Sequence, residues 1–214
     1  IAERNGVEIY DVYTGFKWIA NVMRENEGKK NYIGGGEESY GFLCEDFVRD
    51  KDAVSACVIL AEIAAWAKDQ GLSLYQLLQK IYVEYGFSKE KGISVVKKGK
   101  SGAEEIEAMM KKFRENPLTE IAGSKVTYFY DYSTLKGKDY AENETVTLDM
   151  PTTSNVLQYF TEDNTKVSIR PSGTEPKIKF YCEVHSKVKS IDELPEAEKA
   201  AEEKINQIKA SLGI

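Results

Sequence analysis

The sequence predicts two domains of different class: an α/β layered domain over residues 1–87, then an α+β domain over residues 92–214. Three observations carry this. Strand-like and helix-like patterns alternate through the first part, as a layered α/β unit requires. The polar stretch Ser88, Lys89, Glu90, Lys91 and Gly92 then breaks the apolar periodicity and reads as an interdomain link. Beyond it, a series of strands runs between two helical patterns, an α+β order.

The elements follow in sequence. Residues 1–6 read as a helix end closed by Gly6, the start expected of a chain that begins inside an element. Residues 7–12 read as a strand, 16–24 as a helix and 31–33 as the next strand. The apolar run 53–67, interrupted by Glu62, reads as a buried helix that continues to 69 and stops at Gly71, with Asp50 or Asp52 as its N-cap. It is shorter than the ~20 residues of a transmembrane helix. Ser73 and Gln76 form a capping-box pattern that opens a helix running to Tyr85, before Gly86.

In the second domain, residues 93–96 read as a strand, and Ser101 with Glu104 as another capping box. Ile106, Met109, Met110 and Phe113 recur at helical spacing and read as a core stripe, so the methionines pack rather than ligate. Pro117 follows the helix end. Strands are expected near 125–132, 145–149, 156–160, 166–169 and 177–184. Leu194 and Pro195 open a last helix with Ala201, Ile205, Ile208 and Leu212 on its buried face.

Composition bounds the function. A net charge of −6 argues against a general nucleic-acid or membrane-surface binder. Cys44, Cys57 and Cys182 are odd in number and lack C-x-x-C spacing, so they read as free thiols in a reducing cytoplasm rather than a disulfide framework or zinc site.

Two loops carry chemistry. In residues 170–177, Arg170 offers a planar fork of donors suited to phosphate oxygens. Ser172 and Thr174 add hydroxyls, and Gly173 lets the backbone N–H come close to a ligand. Pro171 and Pro176 stiffen the flanks. Lys166, Lys177 and Lys179 add positive charge against Glu175 and the more distant Asp163. On residue chemistry alone an ordinary polar hairpin turn fits this segment equally well. In residues 34–41, three glycines precede Glu37, Glu38 and Ser39, which offer two carboxylates and a hydroxyl to sugar hydroxyls. A dinucleotide fingerprint is excluded by the acidic second half, which would repel a pyrophosphate. A serine-hydrolase elbow is excluded because Glu37 stands where it needs glycine. Adjacent carboxylates would not flank one scissile bond as a glycosidase requires. A solvated acidic turn remains open.

Together the two loops resemble those of the α-D-phosphohexomutases, the phosphoglucomutase/phosphomannomutase family. Residues 36–41 match the glucose-type G-E-E-S-[YF]-G loop, and 170–176 match the R-x-S-G-T-x-P phosphate loop. Thr14, Gly15, Phe16 and Lys17 resemble the T-G-[FW]-K segment, and Arg49 to Asp52 the R-x-K-D segment.

The resemblance implies that the chain corresponds to domain 3, incomplete at its N-terminus, and domain 4 of a four-domain enzyme, the latter TATA-binding-protein-like in fold. It implies interconversion of hexose 1-phosphate and hexose 6-phosphate through a phosphoserine and a hexose 1,6-bisphosphate intermediate. Thr14, Gly15, Glu37, Ser39 and Lys51 would bind the sugar; Arg170, Ser172, Gly173 and Thr174 would bind the non-reacting phosphate. No catalytic residue and no metal ligand is expected here. The phosphorylated serine and the Mg²⁺-binding Asp-rich loop belong to domains 1 and 2, so this part alone is expected to be inactive. Expected partners are a phosphorylated hexose and the N-terminal domains, with no nucleic acid or membrane, in the cytoplasm. Tyr40 and Gly41, where some mannose-using members carry Gly-His, favour glucose phosphate; mannose and pentose phosphates stay open. Lys51 reads either as positive charge near the reacting end or as a surface lysine beside a helix. Two other functions compete: a stand-alone phosphosugar-binding module, and a hydrolase using Ser39 or Ser172 with His185, the single histidine.

Overall fold

A computed structural model describes residues 1–97, 99–173 and 175–214. The chain divides into two compact units, Ile1–Lys80 and Ile81–Ile214.

The first unit opens on a 3₁₀ turn, Glu3–Asn5, closed by Gly6 in the left-handed region, as the sequence predicts. Residues 7–12 are not a strand; they run on without regular structure. Helix α1, Phe16–Asn26, starts directly after Gly15, whose φ of 116° suits glycine alone. Strand β1 is Gly34–Gly36, not 31–33, and pairs antiparallel with β2, Phe42–Cys44. The shift has a steric cause. Tyr32 folds its ring back over the hairpin and its hydroxyl donates to the Leu43 carbonyl. A Cβ on Gly35 would stand 2.5 Å from that hydroxyl, so any other residue there would have to displace Tyr32. Phe16, Met23 and Leu43 form the unit's small core, with Ile19 and Tyr32 packed against it.

Helix α2, Ala53–Asp69, forms where the apolar run predicts, and the Asp52 carboxylate accepts from the Ser55 N–H as its N-cap. The expectation of burial fails. Only Ala67 is buried; Val54 is 73% and Trp66 56% exposed. The run encodes a helix without a polar face, but burial requires a partner surface, and within this unit the core is too small to supply one. Helix α3, Leu74–Tyr85, carries the chain into the second unit. Its capping box is reciprocal: Ser73 N–H donates to Gln76 Oε1 at 2.8 Å and Gln76 N–H to Ser73 Oγ at 3.2 Å.

The second unit is an eight-stranded antiparallel sheet with helices on one face. Its strands are β3 (Phe87–Val96), β4 (Glu120–Ile121), β5 (Ser124–Asp131), β6 (Lys136–Asp139), β7 (Glu144–Thr147), β8 (Leu157–Thr161), β9 (Lys166–Pro171) and β10 (Lys177–Ser186). Their order is β3-β10-β9-β8-β5-β6-β7, with β4 paired to β5. Residues 88–92, expected as a link, lie inside β3, paired throughout with β10. They alternate, but with lysines on the core side: Lys89 and Lys91 reach Glu198 and Glu202.

Helices α4 (Gly99–Glu115) and α5 (Leu194–Leu212) cover the sheet. Ser101 lies inside α4 instead of capping it, because the helix already begins at Gly99. The predicted stripes hold. Ile106, Met110 and Phe113 from α4, with Ala201, Ile205, Ile208 and Leu212 from α5, join Leu157, Tyr159, Val167, Ile169, Ile178 and Phe180 in one core. Burying such side chains contributes about 1.5–3 kcal/mol each. No helix among the described residues is long and apolar enough to cross a membrane.

Candidate functional site

In the first unit, three sequence motifs converge on Lys51. The hairpin β1–β2 ends in a tight tip: Glu37 N–H donates to the Gly41 carbonyl at 2.8 Å and Tyr40 N–H to the Glu37 carbonyl at 3.2 Å. Closing it puts Tyr40 at a φ of 68°, with its side chain 98% exposed. The segment 49–52 is tied to the hairpin by the Asp52 N–H, which donates to the Phe42 carbonyl at 3.0 Å. That tie brings Lys51 Nζ to 3.9 Å from Glu37 Oε2 and 3.2 Å from Asp50 Oδ1. The same ammonium lies 6.0 Å from the centre of the Phe16 ring, in the residue following Thr14 and Gly15. Hydrogen bonds from the Lys51 backbone and side chain hold the Asp50 carboxyl below its usual range. Glu37 and Glu38, at the start of the turn, differ in exposure. Glu37 is tucked in, whereas Glu38 and Ser39 are exposed. Thr14 is exposed at the approach to α1.

In the second unit, the phosphate-type loop connects β9 to β10. Ser172 N–H donates to the Lys177 carbonyl, Lys177 N–H to the Glu175 carbonyl, both at 2.7 Å, and Glu175 N–H to Ser172 Oγ at 3.3 Å. The space beside Gly173 is open. Thr174 lies outside the described residues. Lys177 Nζ pairs with Glu175 Oε2 at 2.7 Å and holds that carboxyl below its usual range, so the loop's acid is neutralised internally.

Strand register places the cations. Val167, Ile169, Ile178 and Phe180 face the core, so Lys166, Arg170, Lys179 and Glu183 share the sheet's helix-free face. There Lys166 opposes Glu183 and pairs with it at 3.4 Å. Arg170 directly opposes Lys179. Like charges in register are destabilising; the Glu175 charge reaches Lys179, though its direct ion pair is with Lys177. Sequence reading named Lys179 only as nearby charge; its opposition to Arg170 needs the register.

On the helix side of the same loop, Pro171, Ser172 and Gly173 border a groove of ≈710 Å³ against Ala103, Ile106 and Met110 of α4. Arg170 does not line it. The single histidine, His185, contacts Glu183 at 2.8 Å, eight residues beyond the start of β10. That is roughly 26 Å along the strand at the usual rise, so it cannot serve Ser172 as a base. Among the described residues no group of His, Cys, Asp and Glu is placed to hold a metal ion.

Residues 1–85 match the family described as "Phosphoglucomutase/phosphomannomutase, alpha/beta/alpha domain III", and residues 94–201 match its "C-terminal domain". The phosphoglucomutase of Staphylococcus haemolyticus is 37% identical over 185 residues, covering 86% of this chain and 33% of the relative. That of Staphylococcus aureus strain MSSA476 is 39% identical over 194 residues, covering 91% and 34%. A crystal structure of pp63/parafusin, a phosphoglucomutase from Paramecium, in open form, covers 88% of this chain and 31% of its own, at a TM-score of 0.56 and 20% identity, a likeness of fold. The chain thus spans about a third of the length of these relatives. Motif loops, fold order and sequence likeness agree, and the chain belongs to the phosphoglucomutase/phosphomannomutase family, whose domain III and C-terminal domain it comprises.

Proposed function

We propose that this chain is the substrate-gripping part of a phosphohexomutase that interconverts hexose 1-phosphate and hexose 6-phosphate. The observation that carries this is the cation pair, Arg170 opposite Lys179, at the base of a loop with an open glycine. A phosphate dianion relieves that repulsion and accepts charge-assisted hydrogen bonds from the guanidinium. Arg170, Ser172, Gly173 and Thr174 hold the phosphate that is not reacting. Glu37 and Ser39 accept and donate to sugar hydroxyls, with Thr14 and Gly15 beside them and Lys51 supplying positive charge. Tyr40 and Gly41 favour a glucose phosphate.

Phosphoryl transfer is mostly positioning and charge stabilisation. The reading divides that labour: this chain positions, while the phosphorylated serine and the Mg²⁺ that polarises the phosphoryl oxygens belong to polypeptide outside residues 1–214. Turnover of a bisphosphorylated sugar, and a place in cytoplasmic carbohydrate metabolism, follow from the same reading.

The test is calorimetric. Arg170→Ala removes a charge-assisted donor and should weaken inorganic phosphate and glucose 6-phosphate binding by about 1.5–3 kcal/mol, with Lys179→Ala weakening both to a lesser degree. Unchanged affinity in Arg170→Ala refutes the assignment.

A further inference from the structure

The hairpin tip of the first unit holds a contact that the motif alone does not explain. Gly41 has a φ outside the left-handed region, so its backbone does not demand glycine; its surroundings do. A Cβ at this position would stand 2.5 Å from Glu37 Oε2 and 2.7 Å from Lys51 Cδ. Both are distal atoms of side chains that can swing. An alanine would therefore leave the hairpin standing and displace the carboxylate. The Glu37 side chain is only 11% exposed, folded over Gly41, and its Oε2 faces Lys51 Nζ at 3.9 Å.

We propose that Gly41 and Lys51 are positioning residues that set the Glu37 carboxylate for a hydroxyl of a polyol phosphate. Gly41 leaves the space that Oε2 and the Lys51 stem fill. Lys51 holds Oε2 by charge while Phe16 and Asp50 fix the ammonium from the other sides. Oε1 makes no hydrogen bond among the described residues and is the oxygen left for a ligand hydroxyl. A site works when its acceptor is held within a fraction of an ångström by the shell behind it. The inference rests on the proposed function for the ligand's identity, not for the placement of the carboxylate.

The experiment uses the 214-residue chain in solution. The wild type should show a nuclear Overhauser contact between the Glu37 γ and Lys51 ε protons. Gly41→Ala should lose it while the Glu37 amide, bonded to the Gly41 carbonyl, stays protected from exchange. Glucose 6-phosphate affinity should fall about tenfold in Gly41→Ala and Lys51→Met, recover in Lys51→Arg, and leave inorganic phosphate affinity unchanged in all three. Survival of the Glu37–Lys51 contact in Gly41→Ala overturns the proposal. So does loss of that contact with no change in affinity for the sugar phosphate. If Gly41→Ala also loses amide protection, the hairpin has collapsed and Lys51→Met with its arginine rescue decides. A wild type that binds inorganic phosphate and glucose 6-phosphate equally refutes the sugar reading of the proposed function, whereas the proton contacts still decide the placement.

Discussion

Tyr159→Phe tests how the second unit holds α4 against the sheet. Tyr159 is fully buried in β8, and its hydroxyl donates to the Phe113 carbonyl at 3.0 Å. Phe113 lies in the last turn of α4, where carbonyls have no partner within the helix. Burial pushes the Tyr159 phenol far above its ordinary range, so it is a donor at neutral pH. The substitution keeps the ring, its contact with Phe129 at 4.9 Å, and nearly all the volume. Little cavity cost arises. What is lost is one net hydrogen bond, about 1 kcal/mol, together with part of the roughly 1–3 kcal/mol for stranding a buried carbonyl. We expect a total near ~2 kcal/mol. At a urea slope of about 2 kcal/mol/M, the midpoint falls by about 1 M. The two units need not unfold together, so the transition should be followed on amide signals from the sheet, such as Phe180. A midpoint within about 0.2 M of wild type would refute the claim that this hydroxyl closes α4.

Two further outcomes follow from the same unit. Asp163 is desolvated in the β8–β9 turn, but its bonds from Lys204, Thr161 Oγ1 and the Thr165 N–H outweigh burial and hold its carboxyl far below the usual range. A depressed folded pKa means the unfolded chain takes up the proton first, so this stabilisation is present above about pH 4 and fades as pH falls below it. Asp163→Asn should therefore be less stable than wild type at pH 7, with the gap closing between about pH 4 and pH 2; a gap constant with pH contradicts this. Burial pushes the Cys182 thiol up to about 11 and covers it, whereas Cys57 is exposed. A thiol reagent at pH 8 should label Cys57 rapidly and Cys182 only on unfolding, checked by peptide mass; rapid Cys182 labelling in the native chain contradicts the packing.

Much of the fold is legible where local chemistry agrees with its surroundings. The Ser73–Gln76 box and the stripes on α4 and α5 encode elements whose partners lie in the same unit. Several misreadings turn on an interaction distant in sequence; that of Ser101, inside α4 because the helix begins at Gly99, is local. Residues 88–92 look like a linker because their alternation is lysine against polar residues; pairing along β10 makes them a strand, and Glu198 and Glu202 on α5 take up the lysines. Strand β6 carries no apolar pattern; Gly137 sits beneath the Tyr130 ring, where a Cβ would approach Cδ1 to 2.4 Å. The apolar run in α2 reports helix, but says nothing about what covers it. The site follows the same division. Each loop is readable as a motif, with Glu37, Ser39, Arg170, Ser172 and Gly173 in place as residues. The opposition of Arg170 to Lys179, and the contact of Lys51 with Glu37 over Gly41, depend on register and turn closure that spacing alone does not express.

In the proposed function the β1–β2 loop takes sugar hydroxyls and the β9–β10 loop takes phosphate. The most direct test is an amide NMR titration of this chain with glucose 6-phosphate, inorganic phosphate and glucose. The account predicts saturable shifts at Gly173 with both phosphate ligands, joined by Glu37 and Ser39 with glucose 6-phosphate. Shifts at neither loop up to millimolar glucose 6-phosphate would contradict it.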